Sequence, residues 1–126
     1  MSHGKELFLD HAATTPVHPD VVGLMLPYFG NHFGTTTSLS ELGRTSRRAV
    51  EEARCRTAAL IDAAPEEIIF SSGATESNNL AILGAASSLS GRGKHIITST
   101  GEHPSVINAC RHLERRGFEI SYVSPD

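Results

Sequence analysis

The sequence predicts an α/β protein built from parallel βαβ units, and two observations lead to this fold class. From about residue 65 onward, short runs rich in β-branched residues alternate with longer segments in which apolar residues recur at helical spacing. Each helical segment is long enough to form the crossover that joins two parallel strands, and such crossovers are right-handed. The alternation therefore predicts a βαβαβ portion over about residues 65–123.

Five elements make up this portion. We expect strands over residues 67–71, 94–100 and 118–123, where β-branched and aromatic residues are concentrated. A helix is expected over residues 75–89. A second helix should begin at Pro104, because proline is tolerated at the first helical position. One apolar face of the second helix consists of Val106, Ile107, Cys110 and Leu113.

The segment before residue 65 predicts helices without strands. An arm over about residues 7–16 should be extended, and a short helix is expected over residues 20–29. The polar stretch 30–40 predicts a loop, and a long helix is expected over residues 42–63. The apolar face of that long helix comprises Leu42, Ala49, Val50, Ala53, Leu60 and Ile61.

The composition argues against several classes of function. The chain has 126 residues, enough for one domain, and a net charge of −3 with neutral histidines. This charge does not attract nucleic acid or anionic membranes, and no apolar run approaches the roughly 20 residues of a membrane span. The N-terminus lacks the pattern of a signal peptide, so a cytoplasmic location is expected. Cys55 and Cys110 have no metal-type or paired spacing and are expected to be buried, reduced thiols.

Two polar turns follow predicted strands, at the positions where open parallel sheets bind ligands. The turns span residues 71–76 and 101–104. In the first turn, Gly73 and Ala74 are small enough to let a ligand approach the backbone, and Thr75 adds a hydroxyl donor. The first N–H groups of the following helix attract an anion. Phosphate binding is one interpretation of this turn, and simple capping of the helix is the other.

His103, directly before Pro104, also has two interpretations. It is either a functional side chain or a residue that caps the next helix at the surface. Because consecutive strands of this kind lie near each other, we expect Thr75 and His103 to share one pocket at the carboxyl ends of neighbouring strands. No pair of histidines has the i, i+4 spacing of a helix-borne zinc site, so no metal is expected.

Three segments of the chain resemble cysteine desulfurases, which are class-V aminotransferase-like enzymes that use pyridoxal 5'-phosphate (PLP). The segments are residues 9–16 (LDHAATTP), residues 67–82 (EIIFSSGATESNNLAI), and residues 94–99 (KHIITS) followed by Glu102 and His103. They occur in the order and spacing of that family, and the similarity extends over residues 9–122.

The resemblance implies a fold and a cofactor site. The chain would be the N-terminal segment of the PLP-binding large domain, with the fold of the aspartate-aminotransferase type. Ala74 and Thr75, with Gly73 before them, match the residues that hold the PLP phosphate. His103 matches the catalytic histidine that stacks on the pyridine ring and helps to move protons.

The resemblance also implies a reaction. Cysteine desulfurases remove sulfur from L-cysteine, giving alanine and a persulfide for iron–sulfur cluster or thio-cofactor synthesis, and they pass the sulfur to acceptor or scaffold proteins. Ala13 and Thr14 match a stretch near the substrate. Two alternatives remain open. One is a selenocysteine lyase, which shares these motifs, and the other is a non-catalytic half-domain that pairs with a desulfurase.

Three parts of the family's machinery are expected beyond Asp126: the lysine that binds PLP, the aspartate that pairs with the pyridine nitrogen, and the persulfide-forming cysteine. We therefore expect the chain alone to be inactive, as a truncated or split part, and to form a homodimer or to pair with a missing C-terminal half. Lys94 is no substitute, because it begins a strand whose other end, roughly 20 Å away, carries the site. The loop at residues 33–40 also lacks the proline and histidine typical of the family, which bears on substrate preference.

Overall fold

The computed structural model describes residues 7–126, which divide into two compact units at the boundary between Ile68 and Ile69. The first unit contains helix α1 (Pro19–Gly30), helix α2 (Glu41–Leu60) and a short 3-10 turn (Pro65–Glu67). Both predicted helices of this unit are therefore confirmed, although α2 ends three residues earlier than expected. Among the helices of residues 7–126, none combines the length and the apolar composition that a membrane-spanning segment needs.

The start of α2 is fixed by a side-chain cap and by a close backbone contact. Ser40 Oγ accepts the Gly43 N–H at 3.1 Å, which satisfies one of the free amides at the helix start. Gly43 is buried and lies so near the preceding loop that an added Cβ would be 2.5 Å from the Ser38 carbonyl oxygen. Arg47 Nε donates to the Thr36 carbonyl at 2.8 Å. These contacts hold the loop at residues 33–40 against the first turns of α2.

The predicted apolar face of α2 is only partly covered: Leu42, Ala49 and Val50 are half-buried, whereas Ala53, Leu60 and Ile61 are exposed. Leu60 is 85% exposed and Ile61 is 66% exposed, while the buried residues of α2 are Gly43, Ser46 and Ala58. The physical reason is a shortage of neighbours: among the described elements of this unit, the 3-10 turn makes the main contact with α2.

The second unit has the order α3, β1, α4, β2, with α3 at Ala74–Leu89, β1 at His95–Ser99, α4 at Pro104–Glu114 and β2 at Glu119–Val123. Strands β1 and β2 are parallel, with His95 opposite Glu119 and Ser99 opposite Val123. The segment from β1 to β2 is thus a βαβ unit, as the sequence predicts. Helices α3 and α4 pack against each other. The buried apolar residues of the unit are Ala86, Ala109, Cys110 and Leu113.

The strand predicted over residues 67–71 is wrong. A 3-10 turn occupies Pro65–Glu67, and residues 68–71 form no strand ladder within the described chain. Ile68 has extended dihedral angles, φ −91° and ψ 123°, but an extended run becomes a strand only where a neighbouring backbone supplies hydrogen bonds. The sheet of the described residues therefore has two strands and not three.

The arm predicted over residues 7–16 is not extended throughout. The Ala13 N–H donates to the Asp10 carbonyl at 3.2 Å, which makes a turn over residues 11–13. Residues 14–17, which follow this turn, belong to no helix or strand.

Candidate functional site

The turn before α3 has a backbone conformation that suits glycine. Gly73, the residue before the first helical position, has φ 157° and ψ 178°, a region populated almost only by glycine. Nothing lies within 4 Å of the position that a Cβ would occupy. Because Gly73 has no side chain, the first amides of α3 have no side-chain cap from this residue. The turn therefore combines open space with N–H groups that attract an anion.

The same turn contains a carboxylate, Glu76, which is hydrogen-bonded to Ser72. Glu76 Oε2 accepts the Ser72 N–H at 2.7 Å and the Ser72 hydroxyl at 2.6 Å. The Ser72 hydroxyl, and after it the Ser72 N–H, lowers the pKa of Glu76. Ser71 Oγ lies 2.6 Å from Ser77 Oγ. These bonds brace the turn without using the amides of Ala74 and Thr75.

His103 is the N-cap of α4, and this confirms one of its two interpretations from the sequence. Its Nδ1 accepts the Ser105 N–H at 3.2 Å, and the Ser105 hydroxyl lies 2.8 Å from the same nitrogen. His103 is also exposed. The cap uses only Nδ1 and leaves Nε2 without a hydrogen bond to any described residue. His103 can therefore cap the helix through Nδ1 and still contact a ligand through Nε2.

A hydrogen bond between helices links the two predicted turns. Asn78 Nδ2, on the first turns of α3, donates to Ser105 Oγ at 2.8 Å. The start of α3, which carries Thr75, is thereby connected through Asn78 and Ser105 to His103 at the start of α4. Helix packing brings these two helix starts together, whereas the predicted placement at the carboxyl ends of neighbouring strands is wrong for Thr75, because no strand precedes it among the described residues. A pocket shared by Thr75 and His103 stays a prediction.

Asn78 and Ser105 are site residues that no motif in the sequence identifies. The available signal for Ser105 was its position two residues after a histidine and directly after Pro104, where its N–H is one of the unpaired amides of a helix start. Asn78 gave no comparable signal, because its partner lies 27 residues away.

Ala13 and Thr14 belong to the first unit, and each has a simple local environment. Ala13 makes the turn described above, and Thr14 lines a shallow cavity of about 330 Å³ together with Phe8, Thr15 and Pro16. Their assignment to the substrate side stays a prediction.

Lys94 lies directly before β1, whereas His103 follows the carboxyl end of that strand. Five residues of strand correspond to about 17 Å, beyond the reach of a lysine side chain. Lys94 Nζ instead lies over the Phe118 ring, 5.9 Å from its centroid. Lys94 is therefore too far from the turn at residues 101–104 to bind a ligand there.

The cysteines differ from each other, so the expectation of two buried thiols is wrong for one of them. Cys110 is 1% exposed, and burial raises the pKa of its thiol. Cys55, on α2, is exposed. Within residues 7–126, no group of three His, Cys, Asp or Glu side chains is arranged to hold a metal ion.

Comparison with known proteins identifies the family. Residues 7–126 match the sequence model of the class-V aminotransferases. The chain is 50% identical over 122 residues to the cysteine desulfurase IscS of Dictyoglomus turgidum, and 47% identical to a putative cysteine desulfurase, IscS 1, of Bacillus subtilis.

The alignment with the Dictyoglomus relative covers 97% of this chain and 31% of the relative. The chain thus spans about a third of the length of the curated relatives it matches. Among solved structures, it superposes on one described as SspA in complex with cysteine with a TM-score of 0.83 and 38% identity, covering 93% of this chain and 34% of that one. The resemblance and the α/β fold class predicted from the sequence are confirmed: the chain belongs to the class-V aminotransferase family.

Proposed function

We propose that this chain forms part of a PLP-dependent cysteine desulfurase, in which it supplies the phosphate-binding turn and the histidine beside the cofactor. The observation that carries the proposal is the pairing of the Gly73–Thr75 turn with His103 through the packed starts of α3 and α4. The family match and relatives that are themselves named cysteine desulfurases support the reaction class.

The residues of the first turn fit a phosphate group. An oxyanion accepts hydrogen bonds from free helix-start amides and is favoured there by the helix dipole. Ala74 and Thr75 offer such amides, Gly73 leaves the approach open, and the Thr75 hydroxyl has no hydrogen-bond partner among the described residues. The Glu76 carboxylate accepts hydrogen bonds from the Ser72 N–H and the Ser72 hydroxyl. These bonds stabilise its negative charge, and they do not use the amides that would bind the phosphate.

His103 supplies the second contact of the proposed site. Its exposed ring and its Nε2 are available to a ligand held at the neighbouring turn. PLP, when bound, provides an electron sink for breaking bonds at the α-carbon and β-carbon of an amino acid. The task of His103 is to face the cofactor ring and to hold or move a proton at Nε2. L-cysteine as the substrate, and a sulfur-acceptor or scaffold protein as the recipient, are part of this proposal.

A titration with PLP and with pyridoxal, which lacks the phosphate, tests the turn directly. We expect the purified chain to bind PLP more tightly than pyridoxal, and Thr75→Val to reduce PLP affinity about 10-fold or more, since it removes a hydrogen bond to a charged group. Thr57→Val is the matched control, because the Thr57 hydroxyl donates to the Ala53 carbonyl within α2. Equal affinity for PLP and pyridoxal, or an equal loss in both variants, would contradict phosphate binding at this turn.

Turnover tests the reaction. We expect the chain alone, mixed with PLP and L-cysteine, to release no more alanine and sulfide than free PLP does, because Lys94 is remote from His103. Co-expression with a polypeptide that carries the remaining length of a related desulfurase should restore activity, and His103→Ala should abolish it. Turnover by the chain alone, or PLP fixed on Lys94 after borohydride reduction, would overturn the proposal.

We propose, in addition, that the chain associates with another polypeptide, either a second copy or a complementary segment. Within the described residues β1 and β2 pair only with each other, so each presents one unpaired edge. Unpaired edges favour pairing with another chain, and Ile97 of β1 is 68% exposed. Sedimentation should show oligomers or aggregates of the isolated chain, and a stable monomer would contradict association.

A further inference from the structure

The two hydrogen bonds at His103 determine which ring nitrogen carries the proton. The backbone N–H of Ser105 can only donate, and it donates to Nδ1 at 3.2 Å. Nδ1 therefore accepts, and in a neutral imidazole the proton must then be on Nε2. The Ser105 hydroxyl, 2.8 Å from Nδ1, agrees with this assignment if it also donates.

Asn78 favours donation by the hydroxyl. Its Nδ2 group donates to Ser105 Oγ at 2.8 Å and occupies one of the two lone pairs of the oxygen, and because Nδ1 already accepts the Ser105 N–H, the hydroxyl hydrogen is the group that suits Nδ1. Ser105 is buried, with 7% of its surface exposed, so water does not compete freely for its hydroxyl. A chain of donors thus runs from Asn78 through Ser105 to His103.

A second His-Pro pair in this protein shows that a histidine N-cap does not by itself create such a series of hydrogen-bond donors. His18 precedes Pro19 at the start of α1, and its Nδ1 accepts the Asp20 N–H at 3.3 Å. The side chain two residues after His18 is a carboxylate, an acceptor, with its Oδ2 3.7 Å from Nδ1. The corresponding side chain after His103 is a hydroxyl backed by the Asn78 amide. The backbone N–H thus donates to Nδ1 at both caps, and only the side chain near Nδ1 differs: a carboxylate at His18 and a hydroxyl at His103.

We propose that Asn78 and Ser105 are positioning residues that hold His103 as the Nε2–H tautomer, with its ring fixed by Nδ1 and with Nε2–H free to donate to a bound ligand. This inference deepens the proposed function and rests on it for the identity of the ligand. The tautomer itself depends only on residues of this chain. A fixed tautomer matters because a histidine that must donate from Nε2 is useful only when the proton is there before the ligand arrives.

The test is a long-range ¹H–¹⁵N correlation spectrum of the purified chain at about pH 8, where ordinary histidines are neutral. The ring nitrogen shifts distinguish the two tautomers without PLP, cysteine or any partner. We expect the wild-type His103 to be Nε2–H. Asn78→Asp preserves the size of the side chain but replaces the donor by an acceptor of the Ser105 hydroxyl hydrogen, so the Nδ1–H form should gain about 2- to 10-fold in the tautomer ratio.

Two further variants complete the design. Ser105→Ala removes the hydroxyl and should move the ratio in the same direction. Asn79→Asp is the matched control, because Asn79 Nδ2 donates to the Thr75 carbonyl at 2.8 Å and does not contact Ser105. It should leave the His103 spectrum unchanged.

A wild-type His103 in the Nδ1–H form, or an unchanged ratio in both Asn78→Asp and Ser105→Ala, would overturn the inference. Failure of PLP to bind would refute the proposed function but would leave the tautomer result standing. The two ideas can therefore fail separately.

Discussion

Replacing Gly43 by alanine should destabilise the first unit, although alanine is the better helix former. A Cβ at this position would lie 2.5 Å from the Ser38 carbonyl oxygen and 2.8 Å from the Thr35 carbonyl oxygen, whereas real Cβ atoms essentially never approach within 3.0 Å. Both oxygens belong to the backbone, so the loop at residues 33–40 must move away from α2.

The expected magnitude follows from three contributions. Overpacking of this kind costs about 1–3 kcal/mol. Displacing the loop weakens the cap between Ser40 Oγ and the Gly43 N–H, worth about 1 kcal/mol. The higher helix propensity of alanine stabilises the folded unit by about 0.5–1 kcal/mol and partly offsets these losses. The net loss is about 2 kcal/mol, which corresponds to a melting temperature lower by about 8–16 °C in a unit of this size.

Urea unfolding followed by far-UV circular dichroism measures this loss, and hydrogen exchange of the Gly43 and Arg44 amides locates it. Gly23→Ala is the matched control, because Gly23 lies inside α1 with nothing within 4 Å of an added Cβ. It should stabilise the protein by about 0.5–1 kcal/mol. If both substitutions stabilise the protein equally, the close approach of the loop to Gly43 is wrong.

Three further predictions concern the second unit and the cysteines. Gly73→Ala should destabilise the protein by about 1–3 kcal/mol in urea unfolding through backbone strain alone, since no atom would touch the new methyl group; unchanged stability would contradict the assigned dihedral angles. Because the pKa of Glu76 is lowered in the folded state, its contribution is fully present above the ordinary glutamate pKa and is lost as the pH falls through the lowered value. The melting temperatures of wild type and Glu76→Gln should therefore differ at neutral pH and converge in acid, and a constant difference would refute this linkage. Cys55 should react with iodoacetamide well before Cys110, whose buried thiol has a raised pKa, and mass spectrometry of the modified peptides shows the order.

Much of the local structure could be predicted because its signals are local. Apolar periodicity places α2 and α4, Pro104 marks the start of α4, and the predicted start of α1 lies one residue from the observed one. The parallel pairing of β1 and β2 was predictable because the segment between them is long enough to form the helical crossover that parallel strands require. The motif around Gly73–Thr75 is likewise recognisable in the sequence, and the family match confirms what it implies about ancestry.

Features that depend on distant partners could not be predicted. The run at residues 67–71 has the composition of a strand but forms no ladder in residues 7–126, because composition does not supply the neighbouring backbone that a strand requires. Cys55 and Cys110 both look like helical core residues in sequence, and only the packing of α3 against α4 in the second unit decides that Cys110 is the buried one.

By itself, the sequence determined the class of fold and the approximate positions of the helices, because the patterns that predict them are local in the chain. The tertiary structure alone decided that Asn78 reaches Ser105 and that this hydroxyl faces His103. The physical reason is that a side-chain hydrogen bond between residues 27 positions apart depends on how two helices pack, and no local pattern encodes that geometry.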